Sequence, residues 1–243
     1  MDGMPGFVDD AGTVLAAAAR LGPYFAWLPE RVAGEPDWRP FSDLLQPEVA
    51  AERVAAGRRV IARSAGMGPD QIEERVAASV VFLGFASRLV SPLLATAALT
   101  GVIPAAAPDR LRWRAAGSGP LPIAYGEMEA LDGSARELNR VAIQGLVAPL
   151  VTVFRRRFVL SQHVLWGNVA SALGGAAGMI ADERAAALAS ELLAVPPLAG
   201  MATVDRQPRW FLRRRNCCLY YRVPGGGTCG DCVLVRNDRP RAG

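Results

Sequence analysis

The stretch Val76–Pro104, VAASVVFLGFASRLVSPLLATAALTGVIP, decides what kind of fold this chain adopts. It is apolar enough to invite comparison with a membrane span, which needs about 20 such residues. Arg88 stands near its middle, where a bilayer centre would cost about 2.5–3.5 kcal/mol. Ser91-Pro92 also places a helix-start signal inside the run. The stretch therefore reads as two buried core helices, one carrying through Ala86 and one beginning at Ser91-Pro92, and no transmembrane segment is expected. With 51% hydrophobic residues the chain is not disordered, and 243 residues can bury a core without help from a metal.

Working outward, Asp70 and Glu73 read as a capping box ahead of Ile72, Val76, Val80 and Leu83, which follow at helical spacing. Upstream, a short helix is expected from Thr13 to Leu21, and Pro47-Glu48 opens another that runs to about Ser64. Downstream, Leu111–Arg114 and Leu121–Tyr125 flank Gly117-Ser118-Gly119-Pro120, the pattern of a β-hairpin. Ser134 and Glu137 form a second box, and Pro149 should kink or break the helix that follows before Val151–Leu160. Ser161–Ile180 is rich in glycine and alanine, so it predicts a central, tightly packed helix or one broken near Gly174. Asp182 caps a last helix to about Ala194, which Pro196-Pro197 ends. The fold class is mainly α (α+β): a helical body over residues 1–200 with a small β-hairpin, and a C-terminal cysteine-bearing β/loop module over 201–243.

Composition excludes several chemistries. All 27 basic residues are arginine, so there is no P-loop lysine and no Schiff base. His163 is the only histidine, which rules out multi-histidine metal sites, and no Gly-x-Ser-x-Gly elbow accompanies it. A net charge of +4 is too modest for a nucleic-acid binder, and no nucleic-acid partner is expected. No basic segment precedes an apolar run at the N-terminus, so the expected location is cytoplasmic, in loose association with the inner membrane at most.

All four cysteines fall in one short segment, Cys217-Cys218 and Cys229-Gly230-Asp231-Cys232, spaced C-C-x10-C-x2-C. A thioredoxin-like redox pair would need to open a helix after a strand, whereas Cys229 follows Gly225-Gly226-Gly227 and Cys232 precedes an expected strand, Val233–Val235. Zinc knuckles supply pairs spaced by two to four residues, and the adjacent Cys217-Cys218 pair suits one tetrahedral ion poorly. A 2Fe–2S cluster has two ends and tolerates diverging ligands. The three glycines would reverse the chain and free N–H groups for the sulfurs. A cluster is the best fit.

This spacing resembles the signature of the ferric-siderophore reductases of the FhuF type, carried by Cys217, Cys218, Cys229 and Cys232. Phe85–Leu94 and Leu165–Ala172 also look like that family. The resemblance implies an oxidoreductase that passes one electron from a 2Fe–2S cluster to the Fe(III) of a siderophore, the hydroxamate type first. The electron would come from an external donor such as a ferredoxin or an NAD(P)H-dependent reductase. The competing class is a non-enzymatic iron–sulfur or zinc-binding interaction or sensor protein.

Around the cysteines, Arg213, Arg214, Arg215 and Arg222 are candidates to offset the negative charge of a reduced cluster, with a solvated arginine face as the alternative. His163, Trp166 and Asn168 are candidates to line a siderophore pocket together with Arg222, against the alternative of ordinary core packing. Tyr220 or Tyr221 would shield the cluster from water.

Overall fold

A computed structural model describes residues 10–30, 37–117, 119–205 and 210–235. The body is helical. Helix α1 (Ala11–Ala19) and helix α2 (Pro47–Ser64) lie against α3 (Glu74–Thr100), and α3 packs most extensively on α6 (Gln162–Ile180). Between them come α4 (Ala135–Leu138), a π-helical stretch over Asn139–Val147, and α5 (Ala148–Arg157); α7 (Glu183–Ala194) follows α6. Short strands fill the margins: β1 (Leu28–Pro29), β2 (Arg39–Pro40), β3 (Val102–Pro104), β4 (Leu111–Trp113), β5 (Ile123–Tyr125), β6 (Ala130–Asp132), β7 (Ala202–Asp205) and β8 (Phe211–Arg214). The expected hairpin is the antiparallel β4–β5 pair, with Trp113 opposite Ile123, and β1 and β2 extend it to four strands in the order β1-β5-β4-β2.

The apolar stretch forms one helix, not two: α3 runs through Ser91-Pro92 without a break. Proline in a helix interior removes an N–H and leaves the carbonyl four residues back without its partner. That carbonyl belongs to Arg88, and the indole N–H of Trp27 donates to it at 2.9 Å. The Arg88 side chain completes the arrangement by donating to the carbonyls of Pro23, Ala26 and Leu121 at 2.6–2.7 Å. Burial lowers its pKa to about 10, which leaves it charged at neutral pH. The helix is long and apolar enough to cross a membrane, but 72% of its most apolar window is buried inside the fold. It is the core helix.

Other local signals hold or shift for visible reasons. Ser134 Oγ accepts the N–H of Glu137, and Asp182 Oδ1 accepts those of Arg184 and Ala185, as their positions predict. The Asp70–Glu73 box does not form, because Pro69–Gln71 is a 3-10 turn and α3 begins only at Glu74; Gln71 Oε1 instead accepts the N–H of Gly68. Pro149 does not end its helix. It sits at the start of α5, and the preceding turns widen into the π-helical form that accommodates it. Helix α6 is unbroken at Gly174.

Candidate metal centre

The antiparallel β7–β8 hairpin carries the cysteine segment onto α6, and two glycines make room for it. A Cβ on Gly174 would stand 2.8 Å from Leu212 Cβ, and one on Gly167 would overlap the amide of Asn216. The small face of α6 thus serves close approach of the segment bearing the cysteines. Gly167→Ala is expected to displace Asn216 and lower unfolding free energy by about 1–3 kcal/mol, measured by urea denaturation.

Two of the four cysteines then meet directly. Cys218 and Cys229 stand 3.9 Å apart between sulfurs. Two thiolates on one tetrahedral metal, with bonds of about 2.3 Å, lie roughly 3.8 Å apart. Cys217 and Cys232 each take a backbone N–H two residues on, from Leu219 at 3.3 Å and Leu234 at 3.4 Å. Leu219 adopts φ +69° to present that N–H. Among the described residues no three Cys, His, Asp or Glu side chains form a group placed to hold a metal ion.

Two expectations change here. The cysteine sulfurs take N–H groups from Leu219, Tyr220 and Leu234, and the N–H of Gly226 bonds Val223 O at 2.8 Å; the glycine run reverses the chain, with φ of +72° at Gly225 and +70° at Gly227. Val233–Val235 is not a strand. Its backbone is spent on the site, through Leu234 N on Cys232 Sγ and Val235 N on Cys232 O, and its side chains are exposed.

The electrostatics divide the thiols. The hydrogen bond shared with Cys229, with help from Arg214, brings Cys218 down to about 6, and the same contact together with burial pushes Cys229 up. Burial also raises Cys217, against which the Leu219 N–H and Arg214 act. Arg214 is 2% exposed. Its Nη2 donates to Asn168 Oδ1, while its Nε and Nη1 are buried with no partner among the described residues. Asn168 in turn donates to Ser79 O and Oγ at 2.9 and 3.0 Å, and Ser79 Oγ donates to the Cys218 carbonyl at 2.7 Å. A buried guanidinium with two idle nitrogens can offset negative charge on the thiols, while the Asp231 carboxylate, bonded to Cys229 with its Oδ2 buried and unpartnered, adds negative charge beside them. A thiolate-ligated 2Fe–2S cluster is anionic, so the donor set and its surroundings fit that group.

The other candidate residues separate. Arg213 pairs with Asp205 at 3.2 Å, Arg222 with Glu73 at 2.8 Å, and Arg215 is exposed. Tyr220 packs against the core beside the cysteines, while Tyr221 is half exposed. His163 is exposed at the start of α6, Trp166 is buried in the core, and Asn168 is fully buried with both ends of its amide engaged, so the three do not share a cavity. Sequence reasoning left Arg214 undistinguished among its neighbours and missed Ser79. A period-two signal was present for Arg214, since Leu212 and Arg214 share the buried face of β8. Ser79 carried no comparable signal, because its partners lie 89 and 139 residues away.

No curated protein matches the chain. Residues 214–234 match the family model described as the FhuF 2Fe-2S C-terminal domain, and the match begins at Arg214 and covers all four cysteines. Spacing and buried counter-charge agree with it: residues 214–234 are similar to the 2Fe–2S C-terminal domain of the FhuF family, and their four thiols suit that cluster.

Proposed function

We propose that this protein is a cytoplasmic ferric-siderophore reductase. Residues 201–243 form its cluster-binding module, and residues 1–200 supply the body on which that module sits. Cys217, Cys218, Cys229 and Cys232 would hold the cluster, with Cys218 and Cys229 at one end and Cys217 and Cys232 at the other. Bound there, a 2Fe–2S cluster supplies electrons one at a time. One electron converts chelated Fe(III) to Fe(II), and an external donor such as a ferredoxin or an NAD(P)H-dependent reductase replaces it. Hard oxygen chelators hold Fe(II) far less tightly, so the metal leaves and the chelator survives intact.

The observation that carries this reading is Arg214, buried with two unpartnered N–H groups next to Cys217 and Cys218. Arg214 offsets charge, Asn168 and Ser79 hold it and the Cys218 backbone in place, and Leu219 and Leu234 donate to sulfur. Anaerobic stopped-flow mixing of the reduced holoprotein with ferric hydroxamates tests the proposal. The expected result is loss of the reduced-cluster spectrum together with formation of Fe(II). Reduced protein that no ferric chelate oxidises would leave the interaction or sensor role instead, and colourless protein with one zinc and no labile sulfide would remove the cluster as well.

A further inference from the structure

A cavity of about 710 Å³ opens between α2, α3 and the turn that joins β4 to β5, a volume within the range of small-molecule sites. It lies across α3 from the cysteine loop. Ser79 faces that loop and bonds the Cys218 carbonyl, whereas Val81 and Gly84, on the other side of the helix by its 3.6-residue period, line the cavity.

The charged lining is of one sign. Arg53, Arg59 and Arg63 of α2 border the cavity, and among the described residues no carboxylate does. Arg59 and Arg63 take part in no ion pair among the described residues. They stand four residues apart on one helix face, where like charges destabilise the helix. Arg53 is half-buried, with its guanidinium 5.6 Å from the centre of the Trp113 ring. Burial lowers its pKa, Glu52 opposes that, and the charges of Arg59 and Arg39 lower it further. Arg58 shows the contrast: it lies outside the lining and serves the fold by donating to the Ile72 carbonyl at 2.6 Å. Between the arginines and α3 the floor is apolar, formed by Ala56, Val60, Val80 and Val81. Two glycines in it differ in purpose. A Cβ on Gly57 would overlap Val81, so that glycine lets α2 and α3 close on each other. Gly84 has no positive φ, and a Cβ there would meet nothing within 4 Å. Glycine in a helix interior is less stable than alanine, so α3 keeps this space open with no gain in packing. Tyr24, 41% exposed, stands at the rim.

We propose that this cavity binds an aromatic organic phosphate of mononucleotide size, with its ring on the apolar floor beside Tyr24 and its phosphate held by the arginines of α2. Guanidinium groups match phosphate oxygens bidentately, and a phosphate dianion relieves the repulsion among three neighbouring cations. A fatty acid would bring a single charge to them, and inorganic phosphate would leave the apolar floor uncovered. Flavin mononucleotide and the adenosine phosphates are two sources of the chemistry that fits. The site shares no residue with the cysteine centre, so it stands independently of chelate reduction.

Isothermal titration of the holoprotein with flavin mononucleotide and with adenosine diphosphate tests the site. At least one should bind saturably, and the one that binds more tightly identifies the source. Its phosphate-free counterpart, riboflavin or adenosine, should bind at least tenfold more weakly, and so should decanoate. Gly84→Leu fills the open space, and the double variant Arg59→Gln/Arg63→Gln removes two of the cations. Each should weaken binding at least tenfold with the cluster spectrum unchanged. Leucine is a better helix former than glycine, so the Tm of Gly84→Leu should not fall. If that variant nevertheless misfolds, the arginine double variant decides alone. Arg156→Gln, at an exposed position of α5, should bind as wild type does. No saturable binding of either phosphate, or wild-type affinity in a folded variant, would overturn the site. Equal affinity for the phosphate-free ring or for decanoate would overturn the ligand class.

Discussion

Cys229→Ser is expected to abolish the visible absorption of the purified holoprotein or to change it radically. Cys229 is the partner of Cys218, 3.9 Å away, and it reaches that position only because Gly225 and Gly227 turn the chain back. Serine presents a harder, far more basic oxygen that binds iron poorly as a hydroxyl. One end of the cluster would then keep only the Cys218 thiolate. The checks are the visible and circular dichroism spectra with iron and labile sulfide content. A wild-type spectrum in the variant would show that Cys229 is not a ligand.

Arg214→Gln is expected to lower the midpoint potential of the cluster. Glutamine keeps an N–H donor for Asn168 Oδ1 but removes the buried positive charge beside Cys217 and Cys218. Reduction adds one negative charge to the site, and losing a nearby buried cation disfavours the more negative state. A tenfold shift of the one-electron equilibrium toward the oxidised form corresponds to 59 mV. A shift of at least that size is expected in a spectroelectrochemical titration, with Arg214→Lys retaining most of the wild-type value. In the apoprotein the same Arg214→Gln change removes an incompletely partnered buried charge, so its Tm should not fall. A merely structural arginine would show the opposite pattern: a lower apoprotein Tm and an unmoved potential.

Features closed within a few residues were legible before the fold was known. The helix opened by Pro47, the Ser134 and Asp182 caps, the β4–β5 hairpin and the cysteine spacing all belong to this group. Features closed across the chain were not. Ser91-Pro92 looked like a boundary because a proline's local cost is plain in sequence, while the relief from Trp27 comes from 61 residues away. Asn168 resembled a ligand-facing polar residue, since nothing nearby reveals that Ser79 and Arg214 will use up its amide. Gly167 and Gly174 of α6 serve the close approach expected of its glycines, whereas Gly175 and Gly178 meet nothing; the partner, the β8 and Asn216 segment, became visible only with the fold.

The Ser79–Cys218 hydrogen bond ties the cysteine loop to the helical body. The metal-binding loop has little interior of its own; its position comes from α3 through Ser79 and from α6 through Asn168, Gly167 and Gly174. Both helices precede the cysteines in the chain, so the mounting surface can be synthesised and folded before the first thiol is made.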